Sequence, residues 1–363
     1  MTHDAKTRRR EGLLMIENEN RSPFLKACRR EPTSYTPIWL MRQAGRYMKG
    51  YRDLRKKYSF LEMCKNPRLA AEVTLQPIGQ FQVDAAIIFA DILLPLEPMG
   101  IDLEFAKDEG PVFRKPIREM GQIEKLRIIE AEEDLPFLME AIHLVRKELD
   151  GKIPLIGFSG APFTLASYII EGGHSKNYIL TKGMMYQARP AWDRLMEKLA
   201  EVLIRYLNAQ VKAGAQALQL FDSWVGCLSP TDYERYVLPY SKKVIEGVDK
   251  RVPVIHFATT SSTLLERMKQ AGGDVIGVDW RVDLGEAWSR IGYDVAVQGN
   301  LDPVVLLGPA DLIENELKRI LKSAGDRPGH IFNLGHGILP NTPVENVAAL
   351  VDMVHKYSAR TIS

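Results

Sequence analysis

The sequence predicts an α/β fold, a single (β/α)8 TIM barrel with a short N-terminal extension. Three observations carry that expectation. Eight short runs rich in β-branched and aromatic residues end in glycine or polar residues. Segments with apolar residues at three- and four-residue intervals lie between them. Glycine also closes the helical pattern ahead of two strand runs, in K-A-G-A (212–215) and Q-A-G-G (270–273). Near-continuous apolar strands alternating with helices mean a parallel sheet covered on both faces, and eight repeats suggest closure. An open doubly wound sheet is the rival architecture. No G-x-G-x-x-G or G-x-x-x-x-G-K-[ST] opens a helix after an early strand, which weighs against a nucleotide-binding sheet.

Taken in order, residues 1–20 read as a disordered arm, charged through Arg8, Arg9 and Arg10 and lacking an apolar run of signal-peptide length. The barrel is expected over 21–363. Its strands are T-P-I-W-L-M (36–41), D-A-A-I-I-F-A-D (84–91), I-P-L-I-G-F-S-G (153–160) and A-L-Q-L-F-D-S (217–223). V-P-V-I-H-F-A (252–258), V-I-G-V-D-W (275–280), V-A-V-Q-G-N (295–300) and H-I-F-N-L-G-H-G (330–337) complete the eight. Helices are expected over 136–149, 191–211, 230–249, 260–271, 309–323 and 343–357. Neither a linker nor a sequence repeat interrupts the pattern, so one domain is expected.

Composition narrows the function. Of 363 residues 45% are hydrophobic and 26% charged, and the formal charge is +2, which gives no basic field for nucleic acid. An anionic ligand must therefore meet local arginines. Cys28, Cys64 and Cys227 form no CxxC pair, which argues against a disulfide framework or structural zinc and suggests the cytoplasm. No run reaches membrane-spanning length, so no membrane partner is expected.

In barrels of this class the site forms from loops at the carboxyl ends of the strands. Strand one runs into W-L-M-R-Q-A-G-R-Y-M (39–48), where Gly45 lets the backbone turn so that Arg42 and Arg46 can reach one side; Arg55 follows. Planar guanidinium forks suit a polyanion, while a merely solvated loop is the bland alternative. Asp91, inside I-I-F-A-D-I-L-L, is either a turn cap or a partly desolvated carboxylate that needs a cation such as Arg42. The other strand ends bring Ser159 and Gly160, Asp222 and Ser223, His256, Asp279, Gln298 with Asn300, and Asn333 with His336. His336, between Gly335 and Gly337, is expected exposed on a flexible turn. His256 reads equally as a ligand or a supporting histidine, and Tyr168 as a hydroxyl over the mouth or a core residue. Cys227 has no zinc-ligand spacing around it.

Seven motifs in order, M-R-Q-A-G-R-Y (41–47), D-A-A-I-I-F-A-D-I-L (84–93), G-F-S-G-A-P-F-T-L (157–165), L-Q-L-F-D-S (218–223), G-V-D-W (277–280), V-Q-G-N-L-D-P (297–303) and N-L-G-H-G (333–337), resemble the uroporphyrinogen decarboxylase family of haem biosynthesis. The resemblance covers about residues 22–358. It implies a cytoplasmic homodimeric barrel that converts uroporphyrinogen III to coproporphyrinogen III by removing four acetate carboxyls, with no metal or organic cofactor. It further implies a binding loop at Arg42, Gln43, Ala44, Gly45 and Arg46, a pyrrole-binding carboxylate at Asp91, and substrate contacts at Tyr168, Ser223 and His336. Catalytic parts are implied for Asp91, Arg42, Tyr168 and His336. Roles for Asp222 and Trp224 stay open.

The chemistry fits those residue types. A protonated pyrrole can itself accept the electron pair released as CO2 leaves, and one carboxylate can stabilise that cation. Two unit charges about 4 Å apart at an effective dielectric near 20 interact by roughly 4 kcal/mol, on the order of a thousandfold in rate. Arg42, a water or another donor could deliver the proton. Two other readings share the scaffold. Corrinoid-dependent methyltransferases bind zinc through His-x-Cys and a second cysteine, where this chain reads His256-Phe257-Ala258 and His336. A non-catalytic tetrapyrrole-binding barrel would need the arginines but not Asp91.

Overall fold

The computed structural model describes residues 22–106 and 110–361. The arm expected over 1–20 lies outside them. The main sheet is parallel, in the order β1-β4-β5-β6-β7-β8-β9: β1 (Ala86–Ile87), β4 (Leu155–Gly160), β5 (Ala217–Asp222), β6 (Val254–Ala258), β7 (Val275–Gly277), β8 (Ala296–Gln298) and β9 (His330–Ile331). Strand one shrinks to a single bridge, and that bridge closes the ring. Ile38 pairs in parallel with Phe332, Phe332 N donates to Pro37 O at 2.8 Å, and Asp84 N donates to Ile38 O at 2.7 Å. All eight expected strand runs therefore occupy the barrel.

Side chains alternate about the barrel wall because the strand period is two. Inward go Trp39, Ile156, Ala217, Ile255, Val275, Ala296 and Ile331, and they fill the lower interior. A helix at Pro23–Cys28, with Ser22 as its cap, plugs the floor by adding Phe24, Leu25, Ala27 and Cys28 to the same cluster. Above it lies a polar layer: Trp39 Nε1 donates to Gln298 Oε1 (2.9 Å) and Gln298 Nε2 to Gln219 Oε1 (3.1 Å). Outward residues join the larger core under the helices, which includes Leu195, Leu199, Leu203 and Tyr206 of the helix Arg189–Ala213.

The expected helix over 230–249 is two helices, Pro230–Tyr236 and Leu238–Gly247. Pro239 explains the break, since its ring clashes with the carbonyl four residues back and its nitrogen has no hydrogen to donate. Outside the barrel, β2 (Leu103–Ala106) and β3 (Gly110–Phe113) form an antiparallel hairpin. Phe113 N donates to Gly172 O at 3.0 Å, which lays the hairpin against the end of the helix Pro162–Glu171. Among the described residues no helix is long and apolar enough to cross a membrane.

Candidate functional site

The loop after strand one is held from both sides. Asn333 Oδ1 accepts from Met41 N (3.0 Å) and from Leu334 N (2.8 Å), which fixes the start of this loop to the loop after β9. Gln43 is buried; its Oε1 accepts from Leu40 N (3.1 Å), its Nε2 donates to Ala85 O (3.1 Å), and its carbonyl accepts from the Tyr47 hydroxyl (2.6 Å). Its side chain is thus turned into the barrel wall, away from the mouth. Arg52 Nη1 donates to the carbonyls of Arg46 (2.9 Å) and Tyr47 (2.6 Å), bracing the far side.

The tight turn is made by Arg42, not by Gly45. Arg42 has a left-handed backbone with φ 61°, which costs a non-glycine residue roughly 1 kcal/mol or more. Gly45 is needed for space, since a Cβ there would lie 3.0 Å from the Arg42 carbonyl oxygen. Ala44 and Gly45 are half-buried beside it. The outcome is a pair of neighbouring arginines, both exposed. Neither guanidinium makes an ion pair or hydrogen bond among the described residues. Burial of its surroundings and the Arg46 charge lower the Arg42 pKa from its usual value.

Asp91 follows β1 and fits both readings of its sequence. Its Oδ1 caps the turn by accepting from Leu93 N at 2.8 Å, and Oδ2 has no hydrogen-bond partner among the described residues. Burial raises its pKa to about 6, against the pull of that N–H and of the Arg42 charge. Tyr168, on the helix Pro162–Glu171, has its phenol pushed up to about 12 by burial and by the Asp91 charge. Its ring meets Phe113 of the hairpin at 6.4 Å and Trp224 at 5.8 Å, and His174 and Tyr178 pack on the same Trp224. Trp224 is thus the centre of an aromatic wall beside Tyr168.

Ser223 follows β5 and is half-buried; its carbonyl accepts from Thr259 Oγ1 at 2.6 Å. His336 is half-buried as well, not exposed on a flexible turn. A Cβ at Gly335 would collide with Trp280 N, and one at Gly337 with the Arg42 side chain, so both glycines serve close packing. Burial and the Arg42 charge lower the His336 pKa, which keeps its imidazole neutral near pH 7.

Several strand-end residues do not reach the mouth. Asp222 and His256 face the helix layer, fully buried, 3.8 Å apart, with Thr164 Oγ1 donating to Asp222 Oδ1 at 3.3 Å. Ser159 bonds its neighbour Gly160 O, and Gly160 stays bare because a Cβ would lie 2.8 Å from Leu165 Cδ2. Asn300 Nδ2 braces the carbonyls of Asp279 (2.9 Å) and Val282 (2.7 Å). Gln298 belongs to the polar layer of the barrel interior, and the Asn333 side chain is used in tying the loop after strand one to the loop after β9. Arg42, Arg46, Asp91, Tyr168, Ser223 and His336 remain around the opening, two unpaired cations facing a desolvated carboxylate. Such an arrangement suits a polyanionic ligand that also carries hydrogen-bond donors or develops positive charge at its centre.

The uroporphyrinogen decarboxylase (URO-D) family pattern matches residues 19–357. Uroporphyrinogen decarboxylase of Carboxydothermus hydrogenoformans is 62% identical over 93% of this chain and 96% of its own length. The enzymes of the same name from Sorangium cellulosum and Trichlorobacter lovleyi are 59% and 56% identical, covering 92% and 93% of this chain and 95% and 99% of theirs. Among solved structures, a methyltransferase from Methanosarcina mazei superposes with TM-score 0.77 at 22% identity, over 93% of this chain and 98% of that one. A B12-independent methionine synthase from Shewanella sp. W3-18-1 does so with TM-score 0.52 at 12% identity, over 91% and 98%. At those identities the two structures share the fold.

Proposed function

The chain belongs to the uroporphyrinogen decarboxylase family, and on that premise we propose that it is a carboxy-lyase of haem biosynthesis, converting uroporphyrinogen III to coproporphyrinogen III without a cofactor. The observation that carries the reading is the pair of unpaired guanidiniums at Arg42 and Arg46 set against Asp91, whose pKa is raised to about 6. Eight side-chain carboxylates on the substrate match the first, and inward pyrrole N–H groups match the second. This supports the enzyme over the methyltransferase reading, since Phe257 and Ala258 follow His256 and leave no thiolate there.

The reaction follows from that arrangement. Protonating a pyrrole α-carbon makes a ring cation. The bond from the acetate methylene to its carboxylate then breaks, CO2 leaves, and the electron pair neutralises the ring as an exocyclic double bond. A proton on the methylene gives the methyl group, and the α-carbon returns its proton, so each turn consumes one proton. Asp91 accepts the inward N–H bonds and stabilises the cation where it develops. Arg42 and Arg46 hold acetates and propionates. Among the site cations, Arg42 has surroundings that ease proton loss, which supports it as the donor to the pyrrole α-carbon, polarised by a substrate carboxylate beside it. Tyr168, Ser223 and neutral His336 complete the donors at the rim.

Anaerobic incubation with uroporphyrinogen, then oxidation and separation of the porphyrins by carboxyl number, tests the reading. Products stepping down to four carboxyls are expected, also after EDTA treatment and dialysis; a count that stays at eight sinks it. A homodimer working in the cytoplasm is the further reading that the resemblance supports. Sedimentation at twice the chain mass checks the assembly.

A further inference from the structure

We propose that Arg281 is an additional carboxylate clamp, one that holds the macrocycle from the arc of the rim beyond His336, three strands round from the Arg42–Arg46 loop. The proposal rests on uroporphyrinogen being the substrate. Four pyrroles spread eight carboxylates all round the ring. Two arginines on one loop can engage only one side of such a ligand.

The rim continues without a break from that loop to Arg281. Gly337 packs directly on the Arg42 side chain, and His336 stands next to it. The His336 ring meets the Trp280 ring edge-on, with centroids 6.3 Å apart and planes at 90°. The Arg281 guanidinium carbon lies over the Trp280 ring, 4.0 Å from its centroid. In the ring of strands, β7 stands three positions from the strand at Ile38, counting β8, β9 and Ile38. Arg281 therefore reaches the opening from well round the barrel, with His336 placed between two cations. The Arg281 charge adds to that of Arg42 in depressing the His336 pKa.

The Asp279 pair orients Arg281 without consuming it. Asp279 is fully buried at the end of its strand and accepts from Thr260 N, Arg281 N (3.1 Å) and Arg281 Nη1 (2.7 Å). Two backbone donors already serve that carboxylate, so it does not depend on Arg281 alone. Among the described residues one of the five guanidinium N–H groups is engaged, while 42% of the side chain remains exposed. The cation–π contact with Trp280 and the ion pair together restrain the fork, which is the preorganisation a carboxylate contact needs.

Arg281→Gln and Arg281→Lys separate a clamp from a brace, because a brace would be felt in stability and a clamp in substrate affinity. For Arg281→Gln, the KM for uroporphyrinogen is expected to rise about fivefold, with kcat within about twofold and the melting temperature unchanged. Arg281→Lys should recover part of the KM, and raising the salt concentration should shrink the difference between wild type and Arg281→Gln. An unchanged KM overturns the proposal. So does a variant that loses melting temperature and kcat together while KM holds, which would make Arg281 a support for Asp279 and Trp280. The wild-type control distinguishes the premise: if it removes no carboxyl from uroporphyrinogen, the decarboxylase reading fails, whatever Arg281 does.

Discussion

Asp84 and Asp91 stand at opposite ends of one strand segment, and their surroundings are opposite too. At the floor of the barrel Asp84 is bonded to the Tyr35 hydroxyl (2.8 Å), Ile38 N (2.7 Å) and His355 Nε2 (2.8 Å). At the mouth Asp91 accepts from Leu93 N, and burial lifts its pKa to about 6. The floor satisfies its polar groups within the chain, tying the first strand to the last helix. The mouth leaves a carboxylate and two arginines to be satisfied by a ligand. A desolvated charge with a single hydrogen-bond partner is costly, so a fold that keeps one in place directs that cost at function.

Removing the same charge at each end is the sharpest way to break this comparison. Asp91→Asn keeps shape and the Leu93 bond but loses the charge, so kcat is expected to fall on the order of a thousandfold, roughly 4 kcal/mol. Anaerobic turnover assays check it, and near-wild-type turnover would remove Asp91 from the mechanism. Asp84→Ala should do the reverse. Stranding three donors is expected to cost about 3 kcal/mol of stability, read from denaturant midpoints, with kcat per folded molecule within about twofold. A loss of kcat like that of Asp91→Asn would erase the distinction.

How much of this is legible in sequence depends on which signal each part leaves. The strand runs are legible because buried parallel strands read as continuous apolar segments. Asp91 is legible from its apolar flanks. The left-handed backbone of Arg42 is not, since arginine carries no preference for it, and Gly45 is the residue that looks like a turn. Asp222 and His256 look like mouth residues because they end apolar runs. Which face each takes depends on register, and alternation turns both to the helices. The hairpin at 103–113 and the plug at Pro23–Cys28 leave weak signals because both are short, and Pro111 counts against a strand.

The Asp91 titration sharpens the comparison at a smaller scale. Its folded pKa, about 6, lies above the ordinary aspartate value of 3.8. The folded state thus holds the proton more tightly, and the ionised carboxylate costs stability above about pH 6. That cost shrinks as pH falls through 6 and vanishes below about 4. Asp91→Asn should therefore be more stable than wild type by about 2 to 3 kcal/mol at pH 8, the gain fading toward pH 4. Thermal unfolding across that range measures it, and a gain that grows on acidification would contradict the assignment. In wild type the same proton should give kcat/KM an acid limb near pH 6.

The smallest expected effect separates the two kinds of group at the mouth. Asp91 acts on charge that develops at the ring, whereas Arg42 and Arg46 act on carboxylates present from the start. The substrate must be seated anew for each of four decarboxylations. Each partly processed ring offers Arg46 a different set of acetates, propionates and methyls, so a weakened clamp should not slow all four steps alike. Arg46→Lys keeps the charge and loses the planar fork. It is expected to raise KM about three- to tenfold and to accumulate intermediates with five to seven carboxyls, resolved by separating the oxidised porphyrins. If every step slows by one common factor and nothing accumulates beyond the wild-type pattern, Arg46 belongs with Asp91 in stabilising charge. The division at the mouth would then fall between Asp91 with Arg46 and the neutral donors Tyr168, Ser223 and His336.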